Sequence, residues 1–366
     1  MPAVLHPARF EDISAWAADD HRAALSAFRA CARHLTSSQK PYRTGSLGIE
    51  ATDFTPAIAA LDYLADEPET SRRFFEQHFR PCRIGNQNSG FLTGYYEPEV
   101  EVSRIPDAQF RFPFLKRPPE LRQLEAGEAP SLQAAGITWA KQDPEGLKEF
   151  ADRGSIERGA LSERDLEIAW ARSRVDVFFT HIQGSARLVF PDGTVTRITF
   201  NGKSGHPFKA IGRVLIDLGE IDAKSVTMDT IRQWLAANPE RLDEILWQNR
   251  SFIFFREEPE IDPTRGPIGA AKVPLTAGRS IAVDREIHTF GTPFFINAES
   301  LTHVDGPKPF CRLMIGQDTG SAIIGPARAD IFTGSGSDAG SEAGSIKHAA
   351  TFHILVPRPA ATRLGL

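Results

Sequence analysis

Two aspartates near the end of the chain have the side-chain chemistry and the surroundings that proton transfer requires. Asp318 opens a Thr-Gly-Ser run, and Asp330 stands directly before an Ile-Phe pair. Glycines surround both positions, so the pattern predicts tight turns between short apolar strands, with the carboxyls directed into open space. Apolar neighbours raise the pKa of a carboxyl, which allows it to donate a proton near neutral pH. Both carboxyls are therefore candidates for acid–base catalysis.

Cleavage of a glycosidic bond is one reaction that such carboxyls could carry out. It needs an acid for the leaving oxygen, and a hydrolase usually adds a second carboxylate as nucleophile or as base for water. The alternative is plain turn chemistry, in which an aspartate caps its own backbone. We favour that alternative for Asp338, the third aspartate of the run.

Side chains suited to sugars occur at three further places. Binding sites for sugars combine aromatic rings with amides, because a sugar has an apolar face and a ring of hydroxyls. The candidates for substrate binding are Tyr95, Tyr96 and Glu97, then Gln183, Gly184 and Ser185, and finally Gln248 and Asn249. Barrel packing for the tyrosines, a hydrogen bond to a turn for Glu97, and structural roles for the amides remain open.

Other kinds of site are disfavoured by spacing. Gly184-Ser185 lacks the GxSxG pattern of a serine hydrolase, and Gly202-Lys203-Ser204 lacks the upstream glycine of a phosphate loop. The ten histidines show no HExxH, and Cys31, Cys82 and Cys311 show no CxxC. We therefore expect no metal and no cofactor. The cysteines are expected to be buried and inert, with one disulfide as the alternative.

The amino-acid composition limits the kinds of partner that the protein can bind. The chain has 366 residues, 41% of them hydrophobic, and a formal net charge of −5, with no basic run. Nucleic-acid binding is therefore disfavoured. No apolar window approaches the length of a membrane helix, and residues 1–18 lack the features of a signal peptide. The sequence thus predicts a globular protein that could contain two or three domains.

Three regimes of hydrophobic spacing must position these residues. Helical spacing predominates between residues 11 and 81. An aromatic strand then leads into a proline-rich crossing at 106–119. The remaining predictions are a helix beginning at 162–165, a strand at 175–179, a hairpin at 188–200 around Asp192-Gly193, helices at 208–218 and 228–247, and short strands with glycine turns from 251 onward.

The strand at 91–100 precedes the middle regime, and the strands after residue 251 follow it. A β-barrel closes its edges when its strands pair around a ring, so the order predicts one barrel interrupted by an inserted domain. We assign residues 1–108 and 250–366 to the barrel domain with its N-terminal helices, and residues 109–249 to the insertion.

Several motifs in this order resemble the MltA family of lytic murein transglycosylases, with its C-terminal three-aspartate segment. They are Gly94-Tyr95-Tyr96-Glu97-Pro98, Gln183-Gly184-Ser185, Phe200 to Pro207, Gln248 to Phe252, Val273 to Asp284, and the run from Asp318 to Gly344. The resemblance implies a mainly β fold, in which a double-psi β-barrel is interrupted by a smaller β-barrel-like domain, with the substrate groove between them.

The resemblance also implies a reaction. Asp330 matches the family's catalytic acid/base and Asp318 its second carboxylate. The family cleaves the β-1,4 bond between MurNAc and GlcNAc of peptidoglycan, and the 6-hydroxyl of the muramic acid attacks its own anomeric carbon to leave a 1,6-anhydro end. Because the nucleophile is tethered, one carboxyl can serve first as acid and then as base.

The implied partners are peptidoglycan strands, with cell-wall synthesis or lysis machinery as further candidates, and the expected state is a monomer. The implied location is the periplasm, with an outer-membrane anchor on a longer precursor as one option. Two other functions stay open, an inverting endoglycosidase on a similar barrel and a non-catalytic glycan-binding module.

Overall fold

The computed structural model of the chain describes residues 4–35, 41–65, 67–258, 262 and 265–366. The chain divides into two compact units. The first comprises Met1–Tyr96, Thr264–Gly334 and Asp338–Leu366, and the second comprises Glu97–Pro263 and Ser335–Ser337.

Strands provide most of the framework of the described residues. In chain order they are β1 (Leu5–Pro7), β2 (Phe79–Ile84), β3 (Gly90–Glu97), β4 (Glu99–Ser103), β5 (Phe112–Leu115), β6 (Leu121–Gln123), β7 (Trp139–Asp143), β8 (Gly146–Lys148), β9 (Glu167–Ala171), β10 (Ser185–Val189), β11 (Val195–Lys203), β12 (Ile253–Glu258), β13 (Ser280–Val283), β14 (Pro293–Ala298), β15 (Phe310–Asp318), β16 (Arg328–Ser335) and β17 (Lys347–Pro357).

Helices flank these strands. In chain order they are α1 (His21–Leu35), α2 (Thr55–Ala60), α3 (Pro68–His78), α4 (Pro130–Ala134), α5 (Arg153–Ser155), α6 (Arg174–Gln183), α7 (Ile211–Asp217), α8 (Met228–Ala237), α9 (Leu242–Leu246), α10 (Ser337–Ser345) and α11 (Arg358–Leu364). Within the described ranges no helix is both long and apolar enough to cross a membrane.

The first unit is built on a closed ring of strands. Its sheet has the order β1-β2-β17-β14-β15-β13-β16-β3, and β17 also pairs with β3. Six strands, from β17 through β14, β15, β13 and β16 to β3, therefore form a barrel, and closure removes the exposed edges that an open sheet would have. Within this ring β13 runs parallel to β15, whereas β14 is antiparallel to both of its neighbours.

Helices α1 and α3 share the hydrophobic core of this unit. Buried Phe28 of α1 contacts three aromatic rings, with centroids 5.8 Å from Phe74, 6.2 Å from Phe75 and 5.8 Å from Phe79. The buried positions of α1 recur at helical spacing, and the Asp20 carboxylate accepts a hydrogen bond from the backbone N–H of Ala23 in its first turn. The same core extends into the strands of the barrel.

The second unit contains a six-stranded sheet in the order β12-β11-β10-β4-β9-β5. A bridge between Lys116, directly after β5, and Phe255 of β12 joins the two end strands, so this sheet also closes. Its core includes Val102, Phe114 and Leu188. Helices α6, α7, α8 and α9 belong to a second cluster of apolar side chains, and β6, β7 and β8 form a small sheet of their own.

The predicted hairpin at 188–200 is confirmed. Strands β10 and β11 pair antiparallel, with Leu188 opposite Thr196. Gly193 has a φ of 84°, which an L side chain rarely adopts. The Asp-Gly signal is strong because it depends on this local requirement alone.

Three local predictions are wrong. The segment 175–179 belongs to helix α6 rather than to a strand, because the Ser173 hydroxyl caps the helix by accepting from the N–H of Asp176 at 3.2 Å, and left-handed Gly184 ends it. Residues 162–165 form a turn and irregular backbone rather than a helix, and strand β9, which pairs with β4 and β5, follows them. The glycine-rich segment after residue 336 forms helix α10, with Asp338 in its first turn rather than in a tight turn.

The units divide the chain at other residues than the predicted 108 and 250. Strand β4 pairs with β9 and β10, so the chain from Glu97 onward belongs to the second unit. Strand β12 pairs with β11 and likewise belongs there. Backbone pairing therefore sets these boundaries, which composition alone does not reveal.

The three cysteine thiols are free. Cys31 and Cys82 are buried, and Cys311 is half-buried. Burial raises the pKa of both buried thiols to about 11, so they stay protonated at neutral pH. The disulfide that the sequence left open does not form.

Candidate active site

Strand pairing brings the two candidate carboxyls to one face of the first unit's barrel. Ala282 of β13 is paired with Asp318 of β15 on one side and with Asp330 of β16 on the other. Residues paired across neighbouring strands point to the same face, and two strand spacings put the two aspartate Cα atoms about 10 Å apart. Buried Ala282 presents only a methyl group between them. The sheet thus converts a separation of twelve residues into one shared surface.

Asp330 is held by a threonine and, through it, by an arginine. The Thr93 hydroxyl donates a hydrogen bond to Oδ1 of Asp330, and Nη2 of Arg328 donates to the same hydroxyl at 2.8 Å. A hydroxyl has one proton, so accepting from Arg328 directs that proton to Asp330. Thr93 is positioned by β3, where it pairs with Lys347 of β17.

The pKa of Asp330 is raised above its ordinary value. Burial is the largest cause, because the charged form loses its hydration, and the negative charge of Asp318 acts in the same direction. The hydrogen bond from Thr93 and the positive charge of Arg328 oppose the shift without cancelling it. Asp330 is therefore a carboxyl that holds its proton to a higher pH than an exposed aspartate.

Asp318 is fixed by three donors. The Tyr95 hydroxyl donates to Oδ2 at 2.9 Å, and the backbone N–H groups of Ala270 and Thr319 each donate to Oδ1 at 2.9 Å. Burial nevertheless raises the pKa of Asp318, against these hydrogen bonds and the charge of Lys272. The orientation of this carboxyl is thus set by the protein before any ligand binds.

Tyr95 links the two carboxyls electrostatically. Burial raises the pKa of its phenol well above the ordinary value, and the negative charges of Asp318 and Asp330 add to the shift. The phenol therefore stays protonated and remains a donor. Its ring packs against Phe332, with centroids 5.5 Å apart.

Two other predicted residues of the same strand have different surroundings. Tyr96 is half-buried, and its ring lies so close to Gly340 of α10 that a Cβ at that position would stand 2.8 Å from it. Glu97 is fully buried in the second unit. Its carboxylate accepts from Arg197 at 2.6 and 3.1 Å, from Arg187 at 3.2 Å, and from the Ser335 hydroxyl at 2.7 Å.

These contacts support the structural alternative that the sequence left open for Glu97. Both oxygens are engaged by protein donors, and the side chain has no exposed surface. The structure instead gives Glu97 the role of neutralising two arginines inside the second unit. A buried carboxylate with charged partners is what the cost of burying a charge requires.

The predicted residues of the second unit lie on two segments. Half-buried Gln183 ends α6, Gly184 adopts a left-handed conformation with a φ of 81°, and buried Ser185 begins β10. Gln248 is exposed and accepts from Nζ of Lys209 at 3.0 Å. These positions can present polar groups at a surface, as a sugar site requires.

Asn249 is buried, and its amide oxygen accepts from the backbone N–H groups of Lys209 and Ser251, both at 3.3 Å. Its own carbonyl accepts from Nε of Arg153 at 3.0 Å. The side chain therefore joins the backbone before α7 to the backbone between α9 and β12, which is the structural alternative that the sequence left open.

Sequence reasoning missed Thr93 and Arg328. A signal was present, because residues two apart on a strand share a face. Thr93 precedes Tyr95 by two residues on β3, and Arg328 precedes Asp330 by two on β16. Alternation around each predicted site residue would have identified both. Among the residues that the structure describes, no group of histidine, cysteine, aspartate and glutamate side chains could hold a metal ion.

Comparison with protein families identifies two segments. Residues 91–256 match the family model described as the MltA specific insert domain, and residues 279–356 match the model described as the 3D domain. The second match contains both Asp318 and Asp330.

Comparison with individual proteins indicates the same family. The chain is 32% identical to membrane-bound lytic murein transglycosylase A of Escherichia coli K12 over 74% of its own length and 66% of that protein, so it spans just under two thirds of this relative. A crystal structure of a membrane-bound lytic murein transglycosylase from Agrobacterium tumefaciens shares 51% identity, with a TM-score of 0.90 over 98% of this chain and 99% of that one.

A crystal structure of E. coli MltA with bound chitohexaose is similar at 26% identity, with a TM-score of 0.66 over 97% of this chain and 91% of that chain. Sequence and fold thus agree over most of the described residues. The chain belongs to the MltA family and carries a 3D domain.

Proposed function

We propose that this protein is a lytic transglycosylase that cleaves the β-1,4 bond between MurNAc and GlcNAc of peptidoglycan and leaves 1,6-anhydro ends. Membership of the MltA family supports the reaction class, since its relatives are named as lytic murein transglycosylases. The observation that carries the proposal is the pair of half-buried carboxyls at Asp330 and Asp318, both with raised pKa, on one barrel face.

In the proposed mechanism Asp330 acts twice. Its protonated carboxyl first gives its proton to the glycosidic oxygen, and the bond to the anomeric carbon breaks. The resulting carboxylate then takes the proton of the muramic acid 6-hydroxyl as that oxygen bonds to the anomeric carbon. Asp330 ends protonated, as it began, and no water is consumed. The raised pKa favours the protonated starting state.

Asp318 supports this cycle in two ways. Its negative charge raises the pKa of Asp330, and it stabilises the positive charge that develops on the sugar ring in an oxocarbenium-like transition state. The donors on its oxygens keep it in place. An inverting glycosidase would instead need this carboxylate as a base for water, a role that three existing hydrogen bonds to the protein disfavour.

The substrate contacts are proposed on a coarser basis. The bound chitohexaose of a relative supports a glycan as ligand. We retain as glycan contacts Tyr96, Gln183, Gly184, Ser185 and Gln248. Tyr95 acts on the glycan indirectly, through its hydrogen bond to Asp318. For Glu97 and Asn249 we propose support of neighbouring groups, because their polar atoms are engaged by the protein.

Further parts of the proposal concern setting and fold. The relatives' designation as membrane-bound supports a periplasmic enzyme, and a membrane anchor on a longer precursor is compatible with it. We also propose a double-psi topology for the six-stranded ring, which the parallel β13–β15 pair supports. Action as a monomer, with cell-wall machinery as partner, completes the proposal.

Product analysis tests the reaction. Purified protein is incubated with peptidoglycan sacculi, and the released muropeptides are analysed by mass spectrometry. Anhydro ends are expected from the parent protein and from Asp338→Asn, a matched control at an exposed position. Asp330→Asn should release almost none.

Reducing, hydrated ends released by the parent protein would show that the reaction is hydrolysis and not intramolecular transfer. Glycan binding without any released product would show that the protein is a non-catalytic glycan-binding module. Folded Asp330→Asn protein with near-parental activity would remove Asp330 from the mechanism.

A further inference from the structure

The pairing of β13 with β15 contains a one-residue irregularity directly beside the candidate active site. Ile281 is paired with Gly316. The next residue of β13, Ala282, is paired with Asp318, so Gln317 is an extra residue on β15 and forms a β-bulge. Bulges are uncommon between parallel strands, and beside an active site they can re-aim a side chain.

The bulge decides which side chain of β15 points to the face that carries Asp330. Regular pairing would put Gln317 beside Ala282, and Asp318, one residue further along, would point to the opposite face. With the bulge, Asp318 joins the row in which Ala282 is also paired with Asp330. The shared surface of the two carboxyls therefore depends on one extra residue in β15.

The side chain of Gln317 is fully buried, and its amide is hydrogen-bonded to the protein at both ends. Its Nε2 donates to the backbone carbonyl of Ala27 at 2.8 Å and to Sγ of Cys31 at 3.2 Å, both in α1. Its Oε1 accepts from the hydroxyl of Ser280, the first residue of β13. Inside the hydrophobic core of the first unit, this amide thus connects the bulge of β15 to α1 and to β13.

The backbone of the bulge is held by the turn at 269–272. The N–H of Ala271 donates to the carbonyl of Gln317 at 3.0 Å, and the N–H of the preceding Ala270 donates to Oδ1 of Asp318 at 2.9 Å. A Cβ on Gly269 would stand 2.8 Å from the carbonyl oxygen of Gln317, so this close approach requires glycine. Consecutive residues of one turn therefore hold the bulged backbone and orient the carboxyl that follows it.

An amide is an expensive side chain at such a position. An apolar side chain of similar length would fill the same space without the cost of removing an amide from water. A buried polar group whose hydrogen bonds are all made has a different benefit, because it fixes one arrangement of the elements that it joins. The elements joined by Gln317 are α1, β13 and the bulged residue of β15.

We propose that Gln317 is a positioning residue of the candidate active site, because its buried amide holds the β-bulge that aims Asp318 at the face of Asp330. Without this amide, β15 can return to regular pairing with β13, and Asp318 then leaves the row of Asp330. The expected effect on reaction rate rests on the proposed function, whereas the expected displacement of Asp318 does not.

Gln317→Met tests the proposal, since methionine has a similar length and no amide. The kcat on sacculi should fall by about a hundredfold, because a displacement of about 1 Å in an active site can cost that much. KM should change little, since the fully buried side chain of Gln317 cannot touch a substrate. A crystal structure of the variant shows directly whether Ala282 is now paired with residue 317.

A carboxyl titration supplies a readout that a purely structural role would not move. The negative charge of Asp318 raises the pKa of Asp330, so its displacement in Gln317→Met should lower the pKa of Asp330. Carboxyl carbon NMR of protein with labelled aspartates measures this change without any substrate. The other groups that face Asp330 are unchanged in the variant, namely Thr93, Arg328 and Tyr95.

Two further variants complete the experiment. Thr351→Val is the matched control, because it removes the hydroxyl of another buried residue of the first unit, which accepts from the N–H of Asn88 at 2.9 Å. It should lower stability while kcat and the pKa of Asp330 stay parental. Ser280→Ala removes only the donor to Oε1 of Gln317, so it should fold and lower kcat by about fivefold to tenfold.

Two results would overturn the proposal. Folded Gln317→Met protein with parental kcat and a parental pKa of Asp330 would show that the bulge does not depend on the amide. An equal loss of kcat in Gln317→Met and Thr351→Val, with no change in the pKa of Asp330, would make Gln317 a residue of stability alone. If Gln317→Met does not fold, the same two criteria apply to Ser280→Ala. Failure of the proposed transglycosylase reaction would appear instead in the products of the parent protein.

Discussion

A fully buried carboxylate in the second unit and a half-buried carboxylate in the first differ in how far their charge is compensated. Glu97 of the second unit faces two arginines and a serine hydroxyl, so its charge is fully compensated. Asp330 of the first unit receives a hydrogen bond from a neutral threonine, and its arginine lies one hydrogen bond further away. Complete compensation makes a carboxylate structural, whereas incomplete compensation leaves it able to take up and release a proton.

The largest expected effect on stability concerns the compensated carboxylate. Glu97→Gln removes the buried carboxylate that Arg187 and Arg197 both contact, which should lower the free energy of unfolding by about 3 to 5 kcal/mol. Denaturant unfolding followed by circular dichroism measures it. Glu101→Gln, on the neighbouring strand β4 and exposed, is the control and should change stability little. A loss of stability as small as that of the control would show that the contacts of Glu97 with the two arginines contribute little to the stability of the second unit.

Tyr95→Phe tests the fixed orientation of Asp318. It removes one donor to the half-buried carboxyl of Asp318, so kcat/KM on sacculi should fall by about tenfold to a hundredfold, or about 1.4 to 2.8 kcal/mol. The pKa of Asp318 should rise, because the Tyr95 hydrogen bond lowers it. Tyr63→Phe alters a fully exposed ring and should behave as the parent. Unchanged kinetics in Tyr95→Phe would mean that the backbone donors suffice.

Asp330→Asn should have the opposite sign of stability effect from Glu97→Gln. The pKa of Asp330 is raised above its ordinary value of 3.8, so the folded protein binds its proton more tightly than the unfolded chain does. The carboxyl therefore loses stabilising effect as pH rises above about 4. At neutral pH Asp330→Asn should be more stable than the parent by thermal unfolding, and the difference should shrink as pH falls from neutral toward about 4. A less stable variant at neutral pH would contradict this account.

The smallest effect concerns Arg328. Its charge lowers the pKa of Asp330, so Arg328→Met should move the alkaline limb of the activity profile to higher pH, where Asp330 still keeps its proton. Asp318 and Tyr95, which also face Asp330, are unchanged in this variant. Arg328→Lys retains a charge and should stay closer to the parent. A profile that does not move would assign the alkaline limb to another group.

The sequence predicted the residues of the first unit better than their contacts. Asp318, Asp330 and Tyr95 were chosen as candidates because glycine turns and an ordered set of motifs mark them, and the structure places them close together. Thr93 and Arg328 carry no such mark, and their importance depends on which strands become neighbours. The sequence left two roles open for Glu97, since nothing local shows that Arg187 and Arg197 converge on it from a hairpin ninety residues later.

The same limit explains the errors in secondary structure. Val175 to Phe179 has the composition of a strand, but a serine cap before it and a glycine after it stabilise a helix. The aspartate–glycine hairpin was predicted because its turn has one strong local solution. The closure of two separate sheets depends on pairings across more than a hundred residues, which spacing along the chain cannot specify.

The closed ring of strands in the first unit determines when, during synthesis, the candidate active site can form. Strand β3, which carries Thr93 and Tyr95 and ends at Glu97, pairs with β16 and with β17, and β17 ends at Pro357. During synthesis β3 must therefore wait for its partner strands until the chain has been extended to Pro357. A nascent chain that lacks β16 and β17 cannot assemble the carboxyl pair with its tyrosine and threonine. The proposed activity can therefore arise only once β17 has been made.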